Sequence, residues 1–190
     1  AQVTLFDRDE DRGTALAKEI GATFAKVDVT DEGSVGDGLD SALTAMGGLN
    51  VAVNCAGIAI GEKTVGRNGP HALESFQRTI NINLVGSFNV ARLAAARMAQ
   101  NEGPEKGVIV NTASIAAYEG QKGQTAYAAS KAGIAGLSLP MARDLAGSGI
   151  RVCAIAPGIF ATPMLLGLPE EVQAGLAADV AVKHFARVQG

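Results

Sequence analysis

Apolar and polar residues follow one another along this chain in a repeating order of strand, turn and helix. Short runs of β-branched and apolar residues predict strands that are buried on both faces of a sheet. These runs occupy residues 2–6, 23–29, 51–54, 107–112 and 150–156. Between them, apolar residues recur at the three- and four-residue spacing of helices, over residues 7–20, 35–46, 73–101 and 125–146.

The alternation predicts an α/β fold with a Rossmann-like, doubly wound parallel sheet flanked by helices. Parallel strands joined through helices cross over right-handedly, which places helices on both faces of the sheet. No low-complexity tract or linker-like segment interrupts the pattern, so we expect residues 1–190 to form a single domain. The residues between the third strand and the third helix are predicted to form a polar loop.

The charge of the chain narrows the class of partner. Its 190 residues carry a formal net charge of −3, without a cluster of lysine or arginine. A nucleic-acid-binding surface needs such a cluster, so we expect a small-molecule substrate and no nucleic-acid partner. We also expect no bound metal.

The location of the protein is indicated by the absence of two sequence signals. No apolar run approaches the roughly 18 residues that a membrane-spanning helix needs, so we expect no membrane contact. The first 20 residues carry acidic groups where a signal peptide would be basic and then apolar. We therefore expect a cytoplasmic protein, or one of the mitochondrial matrix if the source is eukaryotic. Cys55 and Cys153 fall in apolar stretches and are predicted to be buried and reduced.

Three polar residues have the spacing of a proton-transfer site. Ser114 follows the fourth strand, Tyr127 lies thirteen residues later, and Lys131 follows one helical turn after the tyrosine. An i, i+4 pair shares a helix face, so the ammonium is expected to lie near the phenol and to favour its ionised form. An ordinary phenol, with a pKa of about 10, is a poor base for an alcohol near neutral pH. Ser114 is placed to hold the substrate oxygen, because ligands bind at the carboxyl ends of parallel strands.

The tyrosine and lysine alone form a short pattern that also arises by chance as a pair on a helix surface. Here the pair comes with a serine at a strand end, with small residues around it and with a later strand that ends in Pro157-Gly158. The combination favours a catalytic group over a surface pair.

With these motifs, the sequence resembles the short-chain dehydrogenase/reductase family over essentially its whole length. Residues 54–57, Asn-Cys-Ala-Gly, are similar to the family's Asn-Ala-Gly element beside the adenine-ribose end of the cofactor. The resemblance implies an enzyme that transfers hydride between a nicotinamide cofactor and a secondary alcohol or ketone. Its catalytic residues would be Asn83, Ser114, Tyr127 and Lys131.

Two asparagines compete for one of these catalytic positions. In the family the asparagine directly precedes an aliphatic pair and a glycine, as Asn83 precedes Leu-Val-Gly. Asn81 is the alternative, and either one could instead be a helix-surface amide. The resemblance implies that Asn83 holds a water between the lysine and bulk solvent.

Asp7 ends the first predicted strand, which resembles the second strand of the family. A carboxylate there accepts hydrogen bonds from the adenosine ribose and repels a 2′-phosphate, so we expect the cofactor to be NAD. Arg8 follows at once and could contact a phosphate. A strand-ending aspartate is also often only a helix cap.

The resemblance implies further cofactor contacts at the strand ends. Asp28 and Val29 would contact the adenine, although Asp28 could equally begin the next helix. Residues 157–162 would hold the nicotinamide side, although a plain proline-glycine turn gives the same pattern. The whole expected cofactor-binding set is Asp7, Asp28, Val29, Asn54, Cys55, Ala56, Gly57, Tyr127, Lys131, Pro157, Gly158, Phe160 and Thr162.

Residues 111–124 and 139–145 resemble one branch of the family, the 3-hydroxyacyl-CoA dehydrogenases of type II, which are also hydroxysteroid dehydrogenases. The branch implies NAD-dependent oxidation of an L-3-hydroxyacyl-CoA in fatty acid metabolism, with hydroxysteroids as side substrates, by a homotetramer. The substrate identity rests on this analogy. Substrate contacts would come from Ser114, Gln121, Gln124 and Tyr127.

Two other functions fit the same features. One is a 3-oxoacyl-ACP or acetoacetyl-CoA reductase that uses NADPH, and the carboxylate of Asp7 argues against it. The other is a non-catalytic NAD-binding module or a scaffold subunit. The intact serine, tyrosine and lysine argue against the NAD-binding module. The helices over 84–100 and 128–146 are rich in alanine and glycine, which suits a scaffold subunit and is compatible with catalysis.

The family begins with a strand and a glycine-rich turn, and neither precedes the first strand of this sequence. The family also has a last strand beyond residues 187–190. We therefore expect the natural protein to extend in both directions. The family's first strand is central in a 3-2-1-4-5-6 sheet, so its absence predicts a gap between the two neighbouring strands.

Overall fold

A computed structural model describes residues 1–167 and 170–179 of the chain. The strands are β1 (Thr4–Asp7), β2 (Thr23–Lys26), β3 (Val51–Asn54), β4 (Val65–Gly66), β5 (Gly69–Pro70), β6 (Gly107–Thr112) and β7 (Ile150–Ile155). The α-helices are α1 (Glu10–Ile20), α2 (Glu32–Met46), α3 (Leu73–Ile80), α4 (Gly86–Met98), α5 (Thr125–Ala146), α6 (Pro163–Leu166) and α7 (Glu170–Asp179). A π-helical turn, Asn81–Val85, joins α3 to α4, and a short 3-10 helix, Ile115–Ala117, follows β6.

The predicted α/β fold with parallel strands and flanking helices is confirmed. Strand β1 pairs in parallel with β2, and a second parallel sheet has the order β3-β6-β7. Strands β4 and β5 form a small antiparallel hairpin, where the sequence predicted only a polar loop. In the second sheet, Asn54 lies opposite Asn111 and Thr112 lies opposite Ile155.

A cleft separates the two parallel sheets. Its volume is about 1100 Å³, and β1 and β3 line it from opposite sides. Val51 and Val53 line this cleft and are each 56% exposed among the residues that the structure describes.

Two further predicted features differ from the structure. Both cysteines are free, as expected, but both are exposed rather than buried. Cys55 lines the cleft, and Cys153 lies on β7, which pairs with β6 alone within residues 1–167 and 170–179. The helix predicted over residues 73–101 is interrupted by the π-helical turn at Asn81–Val85.

Helices α1 and α2 begin and end at residues whose chemistry explains the boundary. Asp9 accepts the Arg12 N–H at the start of α1, and Asp31 accepts the Ser34 N–H at the start of α2. Both helices end at glycines in the left-handed conformation, which a residue with a β-carbon adopts only with strain. These caps fix the turns that follow β1 and β2.

The core lies between α2, α4 and the second sheet. Its largest fully buried apolar side chains are Met98, Ile109, Ile150, Val27 and Val35. Within the part of the chain described, no helix is both long and apolar enough to cross a membrane. The predictions that concern residues 187–190 lie outside the described residues.

Candidate active site

Lysine 131 is held inside the protein by a backbone carbonyl of the sheet. Its Nζ donates a hydrogen bond of 2.7 Å to the carbonyl oxygen of Thr112, the last residue of β6. Lys131 is only 5% exposed. The predicted i, i+4 relation puts Tyr127 on the same face of α5, and Nζ lies 5.7 Å from the centroid of its ring.

Ser114 stands directly after β6 and meets the tyrosine. It has extended backbone geometry, and its Oγ accepts the Ala116 N–H at 3.1 Å as the cap of the 3-10 helix. The same hydroxyl interacts with the Tyr127 phenol, and this interaction lowers the pKa of the phenol. The structure therefore brings serine, tyrosine and lysine together at the carboxyl end of β6, where parallel sheets bind ligands.

The acidity of the phenol departs from the prediction. Burial raises the pKa of Tyr127 above its ordinary value, and the interaction with Ser114 only partly opposes this. The lowering of this pKa expected from Lys131 is not seen, because the ammonium is directed to the Thr112 carbonyl and lies beside the ring. Burial also lowers the pKa of Lys131, and the nearby Cys55 thiol opposes that effect.

Asn83 is fully buried and uses both ends of its amide. Its Oδ1 accepts the Ile58 N–H at 2.8 Å, and its Nδ2 donates to the Ile58 carbonyl oxygen at 2.9 Å and to Ser130 Oγ at 3.0 Å. The amide thus pairs with the backbone of the loop after β3, as a neighbouring strand would. Asn81, the alternative considered from the sequence, is exposed.

The π-helical turn explains why Asn83 points inward. The extra residue in this turn changes the direction of the side chains that follow it, and such turns are frequent at functional sites. The Asn83 carbonyl oxygen accepts a hydrogen bond from Ser87 Oγ at 2.6 Å, which ties the turn to the first residues of α4. Sequence periodicity did not predict this turn, since the apolar spacing continues through it.

Ser130 connects Asn83 with the tyrosine and was missed as a site residue. It is fully buried, accepts from Asn83 Nδ2, and donates to the Tyr127 carbonyl oxygen at 2.7 Å. The sequence carried one signal for Ser130, which is a polar residue among alanines, three positions after the catalytic tyrosine.

Gly57 lies where Asn83 and Lys131 approach one another. A β-carbon at this position would fall 3.2 Å from Asn83 Oδ1 and 3.9 Å from Lys131 Nζ. The loop after β3 can therefore pass this close to both side chains because it carries glycine there.

At the other end of the site, Asp7 is not a helix cap. Its Oδ1 accepts the Asp9 N–H at 2.9 Å, whereas Asp9 itself caps α1. Within residues 1–167 and 170–179, the second oxygen of Asp7 makes no hydrogen bond or ion pair. That oxygen remains available to a ligand at the end of β1.

Asp28 engages the neighbouring arginine. Its Oδ1 accepts the backbone N–H and the hydroxyl of Thr30, at 2.9 and 2.6 Å, and its Oδ2 lies 3.4 Å from Arg8 Nε. The Thr30 hydroxyl, then its N–H and the arginine charge hold the pKa of Asp28 below its ordinary value. Asp31, not Asp28, caps α2, which answers the alternative left open by the sequence.

Five of the residues expected to bind the cofactor line the cleft between the sheets. They are Asp7, Val29, Asn54, Cys55 and Ala56. Cys55 Sγ is 3.8 Å from Thr112 Oγ1, and the carbonyl of that threonine holds Lys131. Cys55 therefore lies between the lining of the cleft and the threonine that holds Lys131.

Val29 and Asn54 are fixed by buried amides. Asn89 Nδ2 donates to the Val29 carbonyl oxygen at 3.0 Å, and Asn54 Nδ2 donates to Asn111 Oδ1 at 2.9 Å across the strand pair. Asn54 Nδ2 also donates to the Ser87 carbonyl oxygen at 3.2 Å. These bonds link the strand ends to α4.

The loop after β7 lies beside Ser114. The Pro157 carbonyl oxygen accepts the Ile115 N–H at 3.0 Å. Gly158 and Phe160 are exposed in this loop, and the Thr162 N–H donates to the Phe160 carbonyl oxygen at 2.8 Å. The expected nicotinamide-side residues thus adjoin the catalytic group rather than the cleft.

The two glutamines expected to touch substrate contact each other. The Gln121 N–H donates to Gln124 Oε1 at 2.9 Å, which closes the turn before α5. Gln121 is exposed and Gln124 is half-buried. Both lie within six residues of Tyr127 along the chain.

Comparison with known proteins gives a family and a set of relatives. Residues 1–173 match the protein family described as short chain dehydrogenase. The mouse (Mus musculus) 3-hydroxyacyl-CoA dehydrogenase type-2 is 52% identical over 187 residues, which is 95% of this chain and 72% of that protein. The human (Homo sapiens) protein of the same name has the same identity and coverage.

The chain is also similar to a more distant relative and to a solved structure. The 3-oxoacyl-[acyl-carrier-protein] reductase FabG of Thermotoga maritima is 34% identical over 192 residues, covering 98% of this chain and 75% of that protein. A crystal structure of 3-hydroxyacyl-CoA dehydrogenase type-2 from Mycobacterium avium superposes with a TM-score of 0.86 and 43% identity, covering 97% of this chain and 74% of that chain.

Proposed function

Because this chain belongs to the short chain dehydrogenase family, we propose that it is an NAD-dependent 3-hydroxyacyl-CoA dehydrogenase. It is an oxidoreductase of CH–OH groups that works with a nicotinamide cofactor. The observation that carries the proposal is the group of Ser114, Tyr127 and Lys131 at the end of β6. The acyl-CoA substrate is supported by relatives named for it at 52% identity, against 34% for an acyl-carrier-protein reductase.

The site residues divide the reaction between them. In the oxidation direction, the Tyr127 phenolate takes the proton of the substrate C3 hydroxyl while the C3–H bond breaks and a 3-oxo group forms. NAD, which the residues at the ends of β1 and β3 would hold, would supply the acceptor for the hydride that leaves C3. Ser114 donates to the substrate oxygen and fixes its position, and its hydroxyl also lowers the pKa of Tyr127. Lys131, hydrogen-bonded to the Thr112 carbonyl, lies beside the phenol ring.

The chain's residues fit a dinucleotide with an unphosphorylated ribose. Asp7 keeps one carboxylate oxygen without a partner in the described residues, at the edge of a cleft of about 1100 Å³. Arg8, which could have bound a 2′-phosphate, is paired with Asp28 instead. The carboxylates of Asp7 and Asp28 outnumber the guanidinium of Arg8, so this end of the cleft carries a net negative charge. That charge repels the 2′-phosphate of NADP and favours NAD.

The cofactor preference is tested by initial rates of acetoacetyl-CoA reduction with NADH and with NADPH. We expect faster turnover with NADH, and Asp7→Ala should lower the NADH-to-NADPH ratio about tenfold, as loss of one nearby charge at a partly exposed site implies. Asp11→Ala is the matched control, because Asp11 is exposed in the first turn of α1 and its substitution removes the same charge. Equal ratios in the two variants would contradict the role of Asp7.

The catalytic role is tested with the two tyrosines of the chain. Tyr127→Phe should lower kcat about a thousandfold, within the range by which general acid–base catalysis accelerates reactions, with cofactor binding retained. Tyr118→Phe is the control, because Tyr118 is 71% exposed. Full turnover by the Tyr127→Phe variant would refute the mechanism.

We further propose a homotetramer formed through α4 and α5. Exposed apolar side chains on these helices support it, since Phe88 is 47% and Leu139 is 58% exposed. Light scattering of the purified protein measures the assembly. A monomeric mass at micromolar concentration would refute this part of the proposal.

A further inference from the structure

The loop between β3 and α3 passes over the beginning of α5. Within it, the Glu62 N–H donates to the Gly123 carbonyl oxygen at 2.9 Å. Two residues later, the hydroxyls of Thr64 and Thr125 are 3.3 Å apart. These contacts join the loop to the residues directly before the catalytic tyrosine.

The carboxylate of Glu62 serves as the cap of α3. Its Oε1 accepts the Ala72 N–H at 2.6 Å, and Ala72, the residue at the start of the helix, has no polar side chain to do this. Its Oε2 is 3.5 Å from His71 Nε2. The Ala72 N–H, with lesser effects of Ser75 and His71, lowers the pKa of Glu62 below its ordinary value.

His71 closes the hairpin of β4 and β5, which we call the 64–71 hairpin. Its N–H donates to the Thr64 carbonyl oxygen at 2.9 Å. Its ring meets the ring of Phe76 on α3 edge-on, with centroids 6.0 Å apart. Glu62 therefore reaches both the base of the hairpin and the helix that leads to the π-helical turn.

We infer that Glu62 is a positioning residue, which holds the 64–71 hairpin against the substrate side of the site. The backbone N–H of Glu62 reaches the carbonyl oxygen of Gly123, which lies between the two glutamines proposed to touch the acyl substrate. The Glu62 carboxylate acts on this contact indirectly, because its bond with the Ala72 N–H fixes the segment that carries the N–H. The inference rests on the proposed dehydrogenase function. It predicts that Glu62 contributes to substrate affinity, and contributes neither to hydride transfer nor to NAD binding.

Steady-state kinetics of the purified protein test this. Loss of a helix cap corresponds to about a fivefold change in an equilibrium, so Glu62→Ala should raise the KM for acetoacetyl-CoA about fivefold. The kcat and the KM for NADH should change less than about twofold, because neither depends on the hairpin. Glu62→Gln keeps an oxygen acceptor for Ala72 and should restore most of the affinity. The control is Glu74→Ala, an exposed acidic residue in the first turn of α3.

Limited digestion with trypsin adds a readout that does not need activity. Arg67 is exposed at the turn of the hairpin, and its cleavage, followed by mass spectrometry, should be faster in Glu62→Ala than in Glu74→Ala. Equal KM values and equal cleavage in the two variants would overturn the inference. An equal loss in kcat and in both KM values would overturn it as well, since that pattern indicates a general structural defect.

The two proposals can fail separately. If the unmodified protein does not turn over acetoacetyl-CoA, the proposed function is wrong. The rate of cleavage at Arg67 still decides whether the Glu62 carboxylate holds the hairpin, because that rate does not depend on turnover.

Discussion

Replacement of Asn83 by alanine tests whether the catalytic group depends on one buried amide. The side chain is fully buried and makes three hydrogen bonds, two with the backbone of Ile58 and one with Ser130 Oγ. The alanine variant removes all three and leaves the N–H and the carbonyl of Ile58 without their partner. The loop after β3 then loses its attachment to the π-helical turn.

The expected loss of stability follows from these three bonds. A buried hydrogen bond contributes about 1 kcal/mol net, so their loss lowers the free energy of unfolding by about 3 kcal/mol. This is a large part of the roughly 5–15 kcal/mol that holds a typical domain folded. The Asn83→Ala variant should also lose turnover, because Ser130 no longer links the turn to the Tyr127 carbonyl.

Urea unfolding followed by circular dichroism measures the change. If the dependence of the unfolding free energy on urea concentration (the m-value) is unchanged, the urea concentration at the midpoint should fall by about 3 kcal/mol divided by the m-value. Asn81→Ala is the matched control, since Asn81 is exposed in the same turn and its loss should cost less than about 0.5 kcal/mol. A loss below about 1 kcal/mol in Asn83→Ala, or a similar loss in both variants, would refute the argument that the amide anchors the loop.

Two other changes test the acidity of the phenol and the packing of the cofactor end. Oxidation requires the Tyr127 phenolate, whose pKa is raised by burial, so its rate should rise with pH into the alkaline range. Ser114→Ala removes the interaction that lowers this pKa and should move the rise to higher pH; a move to lower pH would contradict the assignment. Gly86→Ala places a β-carbon 2.6 Å from Val29 Cγ2, so it should destabilise the protein by about 1–3 kcal/mol in thermal unfolding. The double variant with Val29→Ala should recover most of that loss, and no recovery would show that the clash is elsewhere.

Local patterns in the sequence predicted much of the fold because they have local physical causes. Asp9 and Gly21 cap α1 through their own side chain and backbone, and α5 spans residues 125–146 as its apolar spacing indicates. The serine, tyrosine and lysine were found for the same reason. A strand end and one helical turn are enough to place them near each other.

Other features depend on contacts between distant segments and could not be predicted from spacing. The hairpin of β4 and β5 has two residues in each strand, too few for any alternation, and it is held by Glu62 and His71. The π-helical turn at Asn81–Val85 keeps the apolar spacing of a helix.

The prediction that Lys131 lowers the pKa of Tyr127 differs from the structure for a physical reason. Helical spacing places an ammonium near a phenol, but it does not decide where the ammonium donates its hydrogen bonds. Here Lys131 donates to the Thr112 carbonyl, and the burial that encloses both groups raises the pKa of Tyr127 and lowers that of Lys131. Both shifts oppose charge in a region of low polarity, so desolvation outweighs attraction at this geometry.

The last two residues of β6 make the position of the catalytic lysine depend on the register of the sheet. Asn111 turns its side chain to Asn54, while Thr112 turns its carbonyl to Lys131. Because side chains and carbonyls alternate in direction along a strand, a slip of one residue would break both contacts together. The strand pairing that places Asn54 opposite Asn111 therefore also positions the lysine, and through it the tyrosine. Since a backbone carbonyl holds the ammonium, the position of Lys131 depends on the fold of β6 rather than on the identity of the side chain at Thr112.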